Sequence, residues 1–180
     1  MNALVLGFGA FGAVVDNPSS RLAGQLSDRV VGRGGHRLVG GEMPVVYSAV
    51  PSFSMEVIAR VQPVFTLGIG VAMGRPAPLV ERIGRNHANP DVEDNAGLGL
   101  ADFGTGPTER RSTEADALAE ALGVGVSDDA GSYVCNAWLY RMLGTGQRVA
   151  FLHVPGEGMP ADALAEGLGR YLDGLSARLG

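Results

Sequence analysis

The chain has 180 residues, a formal net charge of −5 and 46% hydrophobic residues. This length predicts one domain, residues 1–180, that buries about 70% of its unfolded surface in a core of its own. The acidic balance, with no cluster of basic residues, argues against nucleic acid and membranes as partners. No apolar run approaches the roughly 20 residues of a spanning helix, and one cysteine cannot form an intramolecular disulfide, so we expect a cytoplasmic protein.

The first predicted elements are a strand and a glycine-rich loop. Residues 3–6 are an apolar run typical of a strand buried on both faces, and no basic segment precedes them as in a signal peptide. Residues 7–12 match the G-x-G-x-x-G pattern of dinucleotide-binding folds, but the helical pattern starts only near Leu22. A dinucleotide site is therefore disfavoured. Phe8 and Phe11 are expected either as walls of an apolar pocket or as ordinary core.

The next segment predicts alternating strands and helices. Arg37 to Tyr47 reads as a hairpin or extended excursion that ends in a strand over Pro44-Val45-Val46-Tyr47. Apolar residues on one helical face between Phe53 and Val61 then predict a helix, and residues 63–67 predict a buried strand. This order is typical of a β/α fold.

Two loops follow in the prediction. Residues 68–74 contain three glycines and are expected to form a strand-end loop. Glu81 comes soon after two prolines, in a segment too broken for a helix interior. Residues 86–107 are rich in Asn, Asp, Gly and Pro and predict a long loop, which in compact domains is usually functional, at an interface or mobile.

A short amphipathic helix is predicted near the middle of the chain. Thr113-Glu114-Ala115-Asp116 approximates a capping box, and the apolar face that follows ends at Gly123. Residues 124–126 predict a very short strand that leads into the segment with the only cysteine.

Cys135 stands at the predicted start of the next helix. With Ser132 as N-cap, the cysteine falls in the first helical turn. Unpaired N–H groups and the positive end of the helix dipole favour an anion there, so a partly exposed thiol is expected to ionise more easily than a free one. The residue is a candidate nucleophile, and a small buried core residue is the alternative.

The last elements complete a mostly parallel sheet with helices on both faces. Residues 148–152 predict a strand with His153 at its carboxyl end, and Pro160 starts a final helix with a leucine-rich face that extends to Leu179. Ligands bind beyond the carboxyl ends of parallel strands. The groups expected at that edge are the loops 7–12 and 68–74, Cys135 and His153.

The three histidines have different expected roles. His36, in a glycine turn, and His87, in the long loop, are expected on the solvated surface. His153 can accept the thiol proton and later protonate a leaving amine if an acceptor such as Glu81 holds its other nitrogen, although a structural role is the alternative. No His or Cys pair has the spacing of a metal site, so neither a metal nor a cofactor is expected.

Five short motifs follow one another along the chain. They are Gly7-Phe8-Gly9-Ala10-Phe11-Gly12 with Asn17-Pro18-Ser19, Pro44-Val45-Val46-Tyr47, Glu81-Arg82 with Asn86 and Asp94-Asn95, Ala130-Gly131-Ser132-Tyr133-Val134-Cys135-Asn136, and Phe151-Leu152-His153-Val154-Pro155. Together and in this order they resemble the motifs of the pyroglutamyl-peptidase I (pyrrolidone-carboxylate peptidase) family of cysteine peptidases. The resemblance extends over nearly the whole chain.

The resemblance implies a single-domain, three-layer α/β/α sandwich that removes N-terminal pyroglutamate from peptides through a thioester. It implies Cys135 as the nucleophile, His153 as the base and then the acid, and Glu81 as the group that orients the imidazole. The residues implied to enclose the pyrrolidone ring are Phe8, Phe11, Tyr133 and Val134, with Val71 as a further wall. Family members often form tetramers, so the resemblance also implies a homo-oligomer.

Two positions depart from the family pattern. Val71 stands where many bacterial members have a glutamine that contacts the ring, and another branch of the family also has valine there. Asp91 stands where many members have an arginine. A non-catalytic relative that binds through the same pocket is the alternative function, although a binding protein needs none of Glu81, Cys135 and His153.

Overall fold

A seven-stranded sheet lies between two layers of helices in the computed structural model, which describes residues 1–180. In chain order the elements are β1 (Asn2–Phe8), α1 (Pro18–Leu26), β2 (Val30–Val31), β3 (His36–Met43), α2 (Val50–Val61), β4 (Phe65–Val71), β5 (Leu79–Glu81), β6 (Ile83–Arg85), β7 (Glu109–Arg111), α3 (Ala115–Leu122), β8 (Gly125–Ser127), α4 (Val134–Leu143), β9 (Val149–Val154) and α5 (Ala161–Leu179). None of the helices is both long and apolar enough to cross a lipid bilayer. The predicted α/β/α sandwich is confirmed.

The sheet is mostly parallel, with the strand order β2-β3-β1-β4-β9-β5-β8. Strands β3, β1, β4 and β9 run in one direction, whereas β2, β5 and β8 run the opposite way. The carboxyl ends of β1, β4 and β9 therefore share one edge, as predicted. Cys135 also lies at this edge, as predicted, but β8 does not end there, because it runs opposite to β9 and residues 128–133 connect its other end to α4.

Alternate residues of β1 pack into two separate cores. Ala3 and Val5 join a cluster of 23 buried residues with α1, α3 and α5. Leu4 and Leu6 join a cluster of 18 buried residues with α2 and α4 on the other face. Successive side chains of a strand point to opposite faces, so a strand covered on both sides has a continuous apolar sequence.

Two glycines in β4 let α4 approach the sheet closely. Residues 68–74 are predicted as a loop, but Gly68 and Gly70 lie inside β4, so that prediction is wrong. A Cβ atom on Gly68 would lie 2.7 Å from the Trp138 ring. A Cβ atom on Gly70 would lie 2.8 Å from Cys135 Sγ. Close helix packing, rather than a turn, explains glycine at these positions.

The strand β3 ends earlier in the chain than the strand predicted over residues 44–47. His36–Met43 pairs with β1, whereas Pro44 to Tyr47 forms an irregular turn instead of the predicted strand. The glycines at 40 and 41 do not break β3. A Cβ atom on Gly40 would lie 2.0 Å from the carbonyl oxygen of Ala23, so α1 crosses the strand at this point and leaves no room for a side chain.

Two local helix predictions hold only in part. The capping box over residues 113–116 does not form, and α3 begins after Glu114 without a side-chain cap. The buried Glu114 carboxylate instead accepts a hydrogen bond of 2.7 Å from the Tyr171 hydroxyl of α5. The leucine face of α5 is buried as predicted except for Leu179, which is 45% exposed near the helix end.

His36 is buried, so its predicted position on the solvated surface is wrong. Its Nε2 lies 3.0 Å from Asp173 Oδ1 on α5. The Asp173 carboxylate also accepts hydrogen bonds of 2.8 Å from the N–H groups of Arg33 and Gly34. These backbone N–H groups and His36 hold the pKa of Asp173 below its usual value and attach the β2–β3 turn to α5. His87 is exposed, as predicted.

The close packing at Gly68 predicts a large cost for substitution there. In Gly68→Ala a methyl group would press on two buried aromatic rings, so we expect the free energy of unfolding to fall by about 1–3 kcal/mol. Gly24→Ala in α1 is the control, because no other atom lies within 4 Å of a Cβ at this position. Alanine there should raise the free energy of unfolding by about 0.5–1 kcal/mol. Urea denaturation measures both, and a Gly68→Ala variant as stable as wild type would contradict the packing argument.

Candidate active site

The first turn of α4 presents free backbone donors next to the cysteine. The helix begins at Val134, its N-cap is Tyr133 rather than the predicted Ser132, and no side chain caps it. The N–H groups of Val134, Cys135 and Asn136 donate to no oxygen of the chain. An oxygen atom that gains negative charge beside Cys135 would therefore meet unpaired donors.

The side chain of Asn136 fixes this turn against β6. Its Oδ1 accepts a hydrogen bond from the Arg85 N–H, and its Nδ2 donates to the carbonyl groups of Arg85 and His87, each at 2.8 Å. The amide is buried and both of its polar ends are satisfied. This anchoring explains why an asparagine directly after the cysteine is useful.

Glu81 and His153 meet across two neighbouring strands. Glu81 lies opposite Phe151 in the antiparallel pairing of β5 with β9, so its side chain is on the same face as that of His153. Nδ1 of His153 lies 2.7 Å from Oε1 of Glu81, and both side chains are buried. A carboxylate at Nδ1 holds a proton on that nitrogen and leaves Nε2 able to accept another.

Cys135 and His153 are brought together over Gly70. Gly70 is the register partner of His153 in the pairing of β4 with β9. The Cys135 sulfur occupies the space above Gly70 where a side chain would otherwise stand. The Phe151 ring, two residues earlier on the same strand, packs edge-on against the imidazole, with 5.0 Å between ring centres.

An apolar cavity of about 120 Å³ opens beside the thiol and the imidazole. It is smaller than the roughly 300–1,000 Å³ of pockets that take drug-sized ligands, so it suits one small ring. Every residue predicted to enclose such a ring lines it: Phe8, Phe11, Val71, Tyr133 and Val134. Apart from His153 and the thiol, no ionisable side chain except the Tyr133 phenol lines the cavity. A larger groove of about 500 Å³ runs between α1 and the start of α5, but no predicted site residue lines it.

A polar cap at α1 holds one wall of the cavity. Asn17 Oδ1 accepts a hydrogen bond of 3.0 Å from the Ser19 N–H, and Asn17 Nδ2 donates to the Gly9 carbonyl at 2.8 Å. The Ser19 hydroxyl donates to the Phe8 carbonyl at 3.0 Å. The Asn-Pro-Ser motif thus starts the helix and fixes the end of β1 at Phe8 and the loop that carries Phe11. Phe8 is also part of the core, whereas Phe11 is only partly buried.

Residues 86–107 are irregular, as predicted, and are held against neighbouring loops. The buried Asp94 carboxylate accepts a hydrogen bond of 2.7 Å from the Tyr47 N–H. Asn95 Nδ2 donates to the Ala10 carbonyl at 2.8 Å. Asp94 and Asn95 therefore join the long loop to the turn at Tyr47 and to the loop that carries Phe11.

The structure changes the expected acidity of the cysteine. Burial, and after it the nearby Glu81 carboxylate, raises the pKa of the Cys135 thiol to about 12. The backbone N–H of Cys135 and the guanidinium of Arg75 act in the opposite direction but are weaker. This shift is opposite in direction to the one expected from the start of the helix, because desolvation outweighs the helix terminus. A raised pKa favours the neutral thiol, whose proton a base must take before the sulfur can react.

Arg75 belongs to the site, although the sequence did not single it out. It donates a hydrogen bond to the same Glu81 oxygen that contacts His153. Arg75 ends the segment Gly70 to Arg75, in which only Val71 was predicted to contact the ring. Asp91 is exposed and lies outside the cavity lining, so its carboxylate takes no part in the site. No group of three or more His, Cys, Asp and Glu side chains is placed to hold a metal ion.

The chain is similar in sequence to known proteins over most of its length. The model of a family described as pyroglutamyl peptidase matches residues 1–164. A pyrrolidone-carboxylate peptidase of Thermococcus onnurineus is 31% identical over 170 residues, which cover 86% of this chain and 84% of the relative. A protein of the same name from Vibrio vulnificus is 34% identical over 166 residues, covering 84% and 77%.

Solved structures extend the likeness to the fold. A mutant pyrrolidone carboxyl peptidase from Pyrococcus furiosus superimposes with a TM-score of 0.84 at 25% identity, and the match covers 100% of both chains. The pyrrolidone carboxyl peptidase from Thermococcus litoralis superimposes with a TM-score of 0.85 at 21% identity, covering 98% of this chain and 96% of the other.

The raised pKa of Cys135 predicts a distinctive alkylation profile. Only the thiolate reacts, and its fraction grows about tenfold per pH unit below the pKa. We therefore expect the rate of Cys135 alkylation by iodoacetamide to rise steadily from pH 7 to pH 10 without a plateau. The urea-denatured chain is the control, because its thiol should titrate near the ordinary pKa of about 8.5. A plateau in the folded protein below pH 7 would contradict the neutral resting thiol.

Proposed function

The chain belongs to the pyroglutamyl peptidase family of cysteine peptidases, and from that premise we propose that residues 1–180 form one catalytic domain with Cys135, His153 and Glu81 as its catalytic unit. The substrates are peptides with an N-terminal pyroglutamate. The observation that carries the assignment is the contact between Glu81 and His153 beside a cysteine that opens onto a ring-sized apolar cavity. The homo-oligomer and the cytoplasmic location stay predictions.

The first half of the reaction transfers the pyroglutamyl group to sulfur. Nε2 of His153 takes the proton of the Cys135 thiol while Sγ attacks the carbonyl carbon that follows the ring. The carbonyl oxygen becomes an oxyanion, and the free N–H groups at the start of α4 stabilise it. The carbon–nitrogen bond then breaks, His153 gives its proton to the leaving amine, and a thioester remains on Cys135.

The second half returns the enzyme to its resting state. His153 Nε2 takes a proton from water, the hydroxide oxygen attacks the thioester carbon, and the same N–H groups hold the second oxyanion. Cleavage of the carbon–sulfur bond releases pyroglutamate, and the proton on His153 returns to the sulfur. Glu81 accepts the Nδ1–H hydrogen bond throughout and stabilises the imidazolium that forms twice in each cycle.

The cavity supports selection of a neutral lactam ring. Eight of its twelve lining residues are hydrophobic, and no carboxylate lines it. A pyrrolidone ring carries no charge, so it can enter such a space with its polar atoms paired to hydrogen-bonding groups. An ammonium group in the same position would be buried without a partner, which costs several kcal/mol.

Substitution of the three catalytic residues tests the assignment. With a fluorogenic pyroglutamyl amide, we expect Cys135→Ser and His153→Ala each to lower kcat by about 1,000-fold or more, because members of one catalytic unit are not additive. Glu81→Gln should retain a larger residual rate, since a glutamine oxygen can still accept the Nδ1–H. Circular dichroism and the thermal midpoint control for folding. A wild-type rate in Cys135→Ser would contradict the assignment of Cys135 as the nucleophile.

The neutral cavity predicts selectivity against charged N-termini. Because tenfold in rate corresponds to about 1.4 kcal/mol, burial of an unpaired ammonium should lower kcat/KM for a glutaminyl amide by at least ~1,000-fold relative to the pyroglutamyl amide. The prolyl amide should be no better, since its ring has a similar shape but a protonated nitrogen. The measurement is kcat/KM for the three amides of one fluorophore. Comparable values would indicate a broader aminopeptidase.

A further inference from the structure

Arg75 connects two parts of the site that are distant in sequence. It lies in the loop between β4 and β5, and its Nη1 donates a hydrogen bond to Glu81 Oε1. Its Nη2 donates to the carbonyl oxygen of Asp129 at 2.6 Å and to the Ser127 hydroxyl at 3.3 Å. The Arg75 side chain is 23% exposed, whereas Glu81 is fully buried. One guanidinium therefore contacts both the buried carboxylate and the segment that leads to Cys135.

Glu81 has few other ways to balance its charge. Its Oε1 accepts hydrogen bonds from both His153 and Arg75, while its Oε2 has no partner. The charged or titratable groups that face it are His153 from β9, Arg75 from the preceding loop and the Cys135 thiol from α4. Neutral imidazole supplies no positive charge, so the guanidinium is the permanent counter-ion of this buried carboxylate.

The second contact of Arg75 bears on the nucleophile. The segment 127–129 continues into residues 130–134, which form part of the cavity wall and end at the first turn of α4. A planar guanidinium can reach a carboxylate and a carbonyl group at once, whereas an ammonium is a single point of attachment. Arg75 is thus the side chain that joins the segment leading to α4 directly to the Glu81–His153 pair.

We propose that Arg75 is a positioning residue, which supplies the positive charge beside the Glu81 carboxylate and fixes it against His153 while it holds segment 127–129 beside them. It acts through Glu81, since its side chain is not among those that line the cavity. The inference deepens the proposed function and rests on it, because it assigns Glu81 and His153 the catalytic roles given above.

The chain contains a matched control for this role. Arg82 follows Glu81 directly, and its side chain is 26% exposed, close to the 23% of Arg75. It binds the same segment through two hydrogen bonds to the Asp128 carboxylate, of 2.8 and 2.7 Å, but has no bond to Glu81. Arg82 also contacts Asp116 of α3 at 3.5 Å. Loss of Arg82 therefore weakens attachment of the segment without changing the contacts of Glu81, whereas loss of Arg75 removes attachment together with the charge beside Glu81.

The experiment compares the pH dependence of kcat/KM for a pyroglutamyl amide in wild type, Arg75→Gln, Arg75→Lys and Arg82→Gln. Removal of the positive charge favours a protonated imidazole or carboxyl group, so the acid limb of Arg75→Gln should move to higher pH. Its kcat should fall roughly 10–100-fold with little change in KM, as for other groups that orient catalytic side chains. Arg75→Lys should return the limb towards the wild-type position without the full rate. Arg82→Gln should keep the wild-type profile.

A second readout separates this inference from the proposed function. Titration of the His153 ring, followed by NMR with His36 and His87 as internal references, should move to higher pH in Arg75→Gln and not in Arg82→Gln, whether or not the protein is active. A wild-type chain that releases no amine would overturn the function but would leave this titration informative. Superimposable ring titrations for wild type and Arg75→Gln, or an equal change in Arg82→Gln, would overturn the role of Arg75.

Discussion

The site depends on how closely α4 approaches β4. Gly68 and Gly70 remove the side chains that would separate the helix from the sheet, and the Trp138 ring and the Cys135 sulfur fill the space. Because Gly70 pairs in register with His153, the same contact brings the thiol to the imidazole. The separation of these two groups is therefore set by close packing of a helix on a strand and not by a bond between them.

Polar side chains hold the irregular segments in place by hydrogen-bonding to their backbone groups. In the strands, backbone hydrogen bonds between neighbouring strands have this role. A buried backbone group without a partner costs about 1–3 kcal/mol, so a loop that packs on the site needs another source of hydrogen bonds. Asn17, Asp94 and Asn136 supply them to the loops around the cavity and to the strand beside α4. Three residues of the family motifs thus act as supports for the residues that do the chemistry.

The electrostatics of the site oppose a resting anion on sulfur. Burial and the Glu81 carboxylate raise the pKa of the thiol, and the free N–H groups of α4 do not reverse this effect. Those N–H groups are available instead for an oxyanion, which forms only during the reaction. A site of this kind stabilises charge where it develops and needs a base to start each cycle.

Local patterns in the sequence predict the strand β1, the helix α2 and the final strand and helix, because apolar periodicity is read from neighbouring residues. The eight candidate site residues were predicted instead from the resemblance of five short motifs to those of a known family. Tertiary structure alone decided the direction of β8, the place of Gly40, Gly68 and Gly70 inside strands, the acidity of Cys135 and the role of Arg75. Each of these depends on atoms from a distant part of the chain, such as a helix that crosses a strand, the residues that bury the thiol, or a counter-ion. A local sequence pattern cannot predict those contacts, because they form only between segments that folding brings together.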